Sequence, residues 1–174
     1  MFFLQMSGFP GAGKSTLARL IAENTGAIVI DHDIIKSALL DSLDVSIDPK
    51  LAGKMAYQID WSLIDLHLSQ GFSVILDSPC FYKEMIERGM DLATKHYADY
   101  KYVECYLNDY QEINHRLKTR KRMKSQIQQV AGSELDFKRF VDSSVKPPGG
   151  NFLVVKTDQP IQKYFNKVIQ YVHQ

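Results

Sequence analysis

Residues 7–16 read SGFPGAGKST, with Gly8 and Gly13 five apart and Lys14 and Ser15 directly behind them. This fits the pattern G-x-x-x-x-G-K-S/T. Glycines let a backbone bend until several N–H groups point at one anion, and a helix starting here adds the positive end of its dipole. In such a loop Lys14 reaches the β- and γ-phosphates of a nucleoside triphosphate, and the Ser15 hydroxyl binds Mg²⁺. The alternative is a glycine-rich turn that binds nothing.

Two carboxylates come next, in Ile30-Asp31-His32-Asp33. Residues two apart in an extended chain share a face, so Asp31 and Asp33 are expected to point into one crevice. One can serve as general base on an acceptor hydroxyl while the other orients substrate or holds a metal-bound water. Asp33 is the preferred base because it lies closer to the start of the next helix. Alternatively, one of the pair caps that helix. Lys36, one turn on, is either a substrate or phosphate contact or a solvated helix lysine. The apolar run Val74-Ile75-Leu76 ends in Asp77, a candidate anchor for the magnesium shell and equally a common turn former. Cys80 has no basic neighbour in sequence and reads as packing. Of the five histidines, only His32 falls at the expected crevice, as a hydrogen-bond partner for substrate.

Residues 116–124, RLKTRKRMK, hold six basic residues in nine. Arg116 and Arg120 are one helical turn apart and share a face. Arg120 and Arg122 are expected on a transferring phosphoryl group, where such charges stabilise the transition state, with Arg116 nearer the nucleotide. The run is otherwise a solvated face or a nucleic-acid footprint, and the lack of interleaved aromatics weakens the latter.

The elements that must position these groups follow from periodicity. Short apolar runs at Phe2 to Met6, Ala27 to Ile30, Phe72 to Leu76, Tyr102 to Leu107 and Phe152 to Val155 read as strands. Helical spacing covers Lys14 to Asn24, Ile34 to Leu43, Pro49 to Gln70 behind an Asp48 N-cap, Phe81 to Tyr97, Tyr110 to Lys118 and Ile161 to Val172. Strands alternating with helices imply parallel pairing, hence an α/β fold of three layers with a five-stranded parallel sheet. Residues 118–150 break the rhythm and are expected to form a lid insertion within one domain spanning 1–174.

Bulk properties set the frame. The chain is 174 residues long, 45% hydrophobic and 24% charged, with a net charge of +1, so no general attraction to nucleic acid or anionic membranes is expected. Cys80 and Cys105 are the only cysteines and have no metal or redox spacing, which fits reduced core thiols. Neither a leader pattern nor a long apolar run is present, so the cytoplasm is the expected location.

As an ordered set, GFPGAGKST, IDHDIIK, VILDSP, YLNDYQEINHRLKTRKR and VVKTDQP resemble the small P-loop kinases of the nucleoside-monophosphate-kinase-like superfamily. Within it they are most similar to the AAA-domain small kinases that include zeta toxin-like, chloramphenicol phosphotransferase-like and polynucleotide 5′-kinase-like proteins. The resemblance implies a P-loop NTPase fold of α/β/α layers with a basic helical lid. It places Gly11, Ala12, Gly13 and Thr16 around the phosphates beside Lys14 and Ser15. Asp33 matches the acceptor-activating aspartate of a D-x-x-R pattern, and Lys36 departs from its arginine, trading a bidentate fork for a point charge. The turn Thr157 to Pro160 would lie beside the base.

The expectation is therefore an ATP- and Mg²⁺-dependent kinase phosphorylating a hydroxyl on a small molecule, as monomer or homodimer. A polynucleotide or nucleoside 5′-hydroxyl kinase, with nucleic acid as the less favoured partner, and a non-kinase ATP-binding switch are the alternatives.

Overall fold

The first strand explains the architecture. All six residues of β1 (Phe2–Ser7) are buried, because β1 is hydrogen-bonded in parallel on both sides, to β3 (Val74–Asp77) and to β4 (Asp99–Tyr106). β2 (Ile28–Asp31) pairs outside β3 and β5 (Leu153–Lys156) outside β4, so the all-parallel sheet runs β2-β3-β1-β4-β5. The computed structural model describes residues 1–42 and 48–174.

Period-two alternation sends neighbouring side chains to opposite faces. Leu4, Met6, Ile75, Val103 and Cys105 pack on one face against α1 (Lys14–Thr25), α5 (Tyr110–Thr119), α6 (Glu134–Asp142) and α7 (Phe165–His173). Phe3, Ile30, Val74, Leu76 and Tyr102 pack on the other face against α3 (Pro49–Ser69) and α4 (Lys83–Lys95). Two cores on the two sides of one sheet make the three expected layers. The Asp48 side chain accepts from the Lys50 N–H and Pro49 opens α3, as their pairing in sequence implied.

Several boundaries differ from the periodicity. β4 begins at Asp99, not Tyr102, because Asp99 and Lys101 mask an extended register that runs from Phe2 to Ser7 of β1. The last helix divides into a 3-10 turn at Ile161–Lys163 and α7, with Tyr164 off helical geometry at φ −125°. α2 (His32–Ser42) starts two residues before Ile34, and Leu43, its expected end, lies outside the described residues. The 118–150 segment also divides. Its second half forms α6, opened by a reciprocal Ser133–Asp136 capping box, and buries Phe137 and Val141 in the core. Its first half, from Arg120 to about Val130, lies outside any helix.

Candidate active site

β1 leaves the sheet at Ser7 and the chain turns over Gly8. An added Cβ there would sit 2.3 Å from the Cys105 carbonyl oxygen on β4, and φ is +128°, so only glycine fits. The loop returns through Gly13, at φ 94° and ψ 10°, which is the N-cap of α1 and supplies no side chain to its free N–H groups. They remain available to an anion.

Lys14 is buried beneath this loop, its Nζ donating to the carbonyls of Gly8 at 2.9 Å and Phe9 at 3.2 Å. Burial pushes its ammonium below the usual lysine range, against the pull of the Asp77 and Asp33 carboxylates. Burial likewise raises the Asp77 carboxyl, opposed by Lys14 and by the nearby Ser15 hydroxyl. Ser15 and Asp77 thus meet, as their positions after β1 and at the end of β3 required. A hydroxyl and a buried carboxylate close together are hard oxygen donors of the kind that would suit a magnesium ion. Among the described residues no three His, Cys, Asp or Glu side chains converge on an all-protein metal site.

A cavity of about 710 Å³ opens beyond the strand ends, where ligands sit in open α/β sheets. Gly11, Gly13, Lys14, Ser15, Thr16, Asp33, Lys36, Asp77, Arg116 and Arg120 all line it. Its walls carry six cationic side chains, Arg19 and Lys121 being the other two, against the carboxylates of Asp33 and Asp77. Such a surplus of positive charge suits a polyphosphate. Ala12 is fully buried behind the loop, its N–H closing a turn onto the Phe9 carbonyl at 3.0 Å.

The two aspartates after β2 do different work, which corrects the expectation that they share an extended face. The chain becomes helical at His32, so Asp31 ends a strand and Asp33 begins a helix. Asp31 Oδ1 accepts from the N–H groups of Asp33 at 3.0 Å and Ile34 at 3.3 Å, a helix cap, and Asp31 is not on the cavity wall. Burial, and next the like charge of Asp77 opposite it in register, push its carboxyl up to about 6. Asp33 faces the cavity, its Oδ2 accepting from Gln126 Nε2 at 2.9 Å and its Oδ1 3.2 Å from Ser125 Oγ.

The basic run is split by the end of α5. Arg116 Nη2 donates to the Thr157 carbonyl at 3.0 Å and its Nε to Glu112 at 2.7 Å, tying the cavity to the turn after β5. Thr157 to Pro160 themselves do not line the cavity. Arg120 reaches the cavity, with Nη2 on the Ile127 carbonyl at 2.9 Å and a buried Nε that has no protein partner among the described residues. Arg122 is a correction: it is exposed and absent from the wall, while Lys121 lines it. Once α5 ends, helical spacing no longer decides which basic residue faces inward.

Beyond the residues singled out in the sequence, Arg19, Ser125 and Gln126 also line the wall. Arg19 was findable, four residues after Ser15 on the same face of α1. His32 is buried, its Nδ1 2.6 Å from Asp60 Oδ2 and its ring stacked on Tyr57 with centroids 3.8 Å apart. That pairing across α2 and α3 had no local signal, and neither had Ser125 and Gln126. Cys80 accepts from Gln5 Nε2 at 3.3 Å, and burial pushes its thiol up to about 12, which fits packing and not nucleophilic chemistry.

A family model described as an AAA domain (AAA_33) matches residues 4–140. No curated protein matches the sequence. Among solved structures, a Chloroflexus aurantiacus protein described as a candidate kinase superposes with TM-score 0.78 at 22% identity, covering 99% of this chain and 97% of its own. A Janibacter sugar kinase gives TM-score 0.67 at 14% identity over 99% and 95% of the two chains. The Mycobacterium tuberculosis APS kinase CysC, in complex with AMPPNP and APS, gives 0.65 at 17% identity over 99% and 98%. At these identities the likeness establishes the fold. No helix among the described residues is long and apolar enough to cross a membrane. With its phosphate loop, parallel sheet and family match in agreement, the chain belongs to the AAA-domain family and has the fold of the small P-loop kinases.

Proposed function

We propose that the protein is a kinase that moves the γ-phosphoryl group of Mg·ATP to a hydroxyl on a small-molecule acceptor, with Asp33 as general base. The observation that carries this reading is the cavity itself, which holds Lys14 on the phosphate loop and Asp33 at the start of α2 on one continuous wall. In the reaction the acceptor oxygen bonds to the γ-phosphorus as the bond to the β,γ-bridging oxygen breaks, ADP leaves, and the acceptor proton passes to Asp33. The loop N–H groups bind the phosphates, and Lys14 exchanges its two loop carbonyls for phosphate oxygens. Arg120, which lines the same cavity, would stabilise charge on the transferring group. Ser15 and Asp77 would hold Mg²⁺, which when bound supplies charge neutralisation on the β- and γ-oxygens. Lys36 and His32 line the acceptor side.

The test is ADP release from Mg·ATP in the presence of hydroxylated metabolites, nucleosides, antibiotics and 5′-hydroxyl oligonucleotides. An acceptor-dependent rate that drops about 10²-fold or more in Asp33→Asn, with AMPPNP affinity retained, is the expected result. An unchanged rate would remove Asp33 as base. A polynucleotide 5′-hydroxyl acceptor is the less favoured reading, because Lys124 of the basic run is already paired with the Leu40 carbonyl and Asp41. Steeply salt-dependent oligonucleotide binding would reverse that and favour 5′-hydroxyl phosphorylation. Tight Mg·AMPPNP binding without turnover of any acceptor would favour a nucleotide-binding switch.

A further inference from the structure

The carboxylate of Asp33 is held from one side by a segment far away in sequence. Gln126 Nε2 donates to Oδ2 at 2.9 Å, while its own Oε1 accepts from the Met123 N–H at 3.2 Å. That second bond fixes which end of the amide faces Asp33. Ser125 Oγ lies 3.2 Å from Asp33 Oδ1 and 3.1 Å from the Asp33 carbonyl, its single proton serving either. Ser125 is itself seated on α2, accepting from Ser37 Oγ at 2.9 Å and donating its N–H to the same oxygen at 3.1 Å. Lys124 adds a bond to the Leu40 carbonyl at 2.7 Å, farther along α2. The loop is closed behind by Arg120 on the Ile127 carbonyl.

We infer that Ser125 and Gln126 are positioning residues that orient the Asp33 carboxylate, so that one loop, residues 120–127, sets both the phosphoryl-side arginine and the acceptor-side base. The inference rests on Asp33 acting in phosphoryl transfer. A carboxylate oxygen accepts more than one hydrogen bond, so each still has a lone pair for the acceptor hydroxyl. With the Ser125 proton on Oδ1 and the Gln126 amide on Oδ2, the carboxylate is pinned against rotation about χ2, and an acceptor hydroxyl meets it in one geometry. Misplacement of a reacting group by about 1 Å can cost on the order of 10²-fold in rate, so two hydrogen bonds to the base are a large lever. The same loop brings Arg120 to the cavity, and nucleotide contacts on that arginine would be felt at Asp33 through the backbone between them.

The experiment compares wild type with Ser125→Ala, Gln126→Ala, the double variant and the conservative Ser125→Thr. ADP release from Mg·ATP is followed in water alone and with glycerol, ribitol, D-gluconate, adenosine and a 5′-hydroxyl oligonucleotide as acceptors. Melting temperature and AMPPNP affinity serve as folding controls. The expected result is a kcat about 10-fold lower or more in the double variant, an unchanged KM for ATP, and recovery of the Ser125 contribution in Ser125→Thr. Hydrogen exchange of residues 120–127 should rise in Asp33→Ala, whose missing carboxylate undoes the dock from the other side. A double variant with wild-type kcat, or a loss shared equally by kcat and AMPPNP affinity, would overturn the positioning role while leaving the kinase reading in place. Wild-type protein that releases no ADP in any condition would overturn the kinase reading, and the inference with it.

Discussion

At the residue scale, the three aspartates at or just beyond the strand ends are separated by their surroundings. Asp77 sits against Lys14 and Ser15, Asp33 against donors from a distant loop, and Asp31 against the backbone of its own helix. Asp31 carries the clearest pH consequence, because burial and Asp77 raise its carboxyl from 3.8 to about 6. Between those values the folded protein binds more protons than the unfolded chain. Folding is therefore favoured as pH falls through 6, and ionised Asp31 destabilises the fold above it. Asp31→Asn keeps the cap acceptor and removes the charge. Thermal denaturation in the metal-free protein should show the variant gaining more over wild type at pH 8 than at pH 5. An equal difference at both pH values would mean that the carboxyl is not held up.

At the element scale, close packing fixes a buried side chain on the strand that leads into the phosphate loop. Gln5 on β1 points between the sheet and α4, its Nε2 donating to the Met85 carbonyl at 3.0 Å and its Oε1 accepting from Tyr100 Oη at 2.6 Å. Gly89 of α4 faces this amide, and a Cβ there would fall 2.1 Å from Gln5 Oε1 and 3.1 Å from the Phe3 ring. Alanine is the better helix former by about 1 kcal/mol, but the buried amide has no free direction to move. Gly89→Ala should lower stability in urea by about 1–3 kcal/mol, the range for overpacking. A stabilised variant would show that the helix can shift away. The strands and helices themselves were legible in the sequence, since parallel strands buried on both faces read as unbroken apolar runs. β4 was read three residues short because Asp99 and Lys101 interrupt that run, although the backbone pairing does not depend on side-chain polarity.

At the scale of the whole molecule, the phosphate loop is supported by a helix 120 or so residues farther on. Phe9 packs edge-to-face on Phe137 at 5.0 Å and on Phe140 at 5.8 Å, and Phe137 also meets Tyr110. A segment that looks like a mobile cover from composition is thus half core. Phe137→Ala should cost about 3–5 kcal/mol in urea denaturation, as for other large-to-small changes in a core. A change under about 1 kcal/mol would mean that α6 contributes no core of its own. The cavity joins both halves of this arrangement, lined by the phosphate loop and α1 together with α2, α3 and residues of the loop after α5.

The phosphate loop was legible from local pattern alone, because residues 8–15 are contiguous and are shaped by backbone geometry or by a neighbour one helical turn away. Gly8, Lys14, Ser15 and the end-of-strand Asp77 could be placed from local pattern alone. The surroundings of Asp33 were decided only in three dimensions. Which aspartate faces the cavity depended on the residue at which the helix starts, and which arginine faces it depended on where α5 ends. The partners of Asp33 and His32, at Ser125, Gln126 and Asp60, come from 28 to 93 residues away. Contacts at that separation arise from packing α2 between α3 and the loop after α5, and no periodicity along the chain records them.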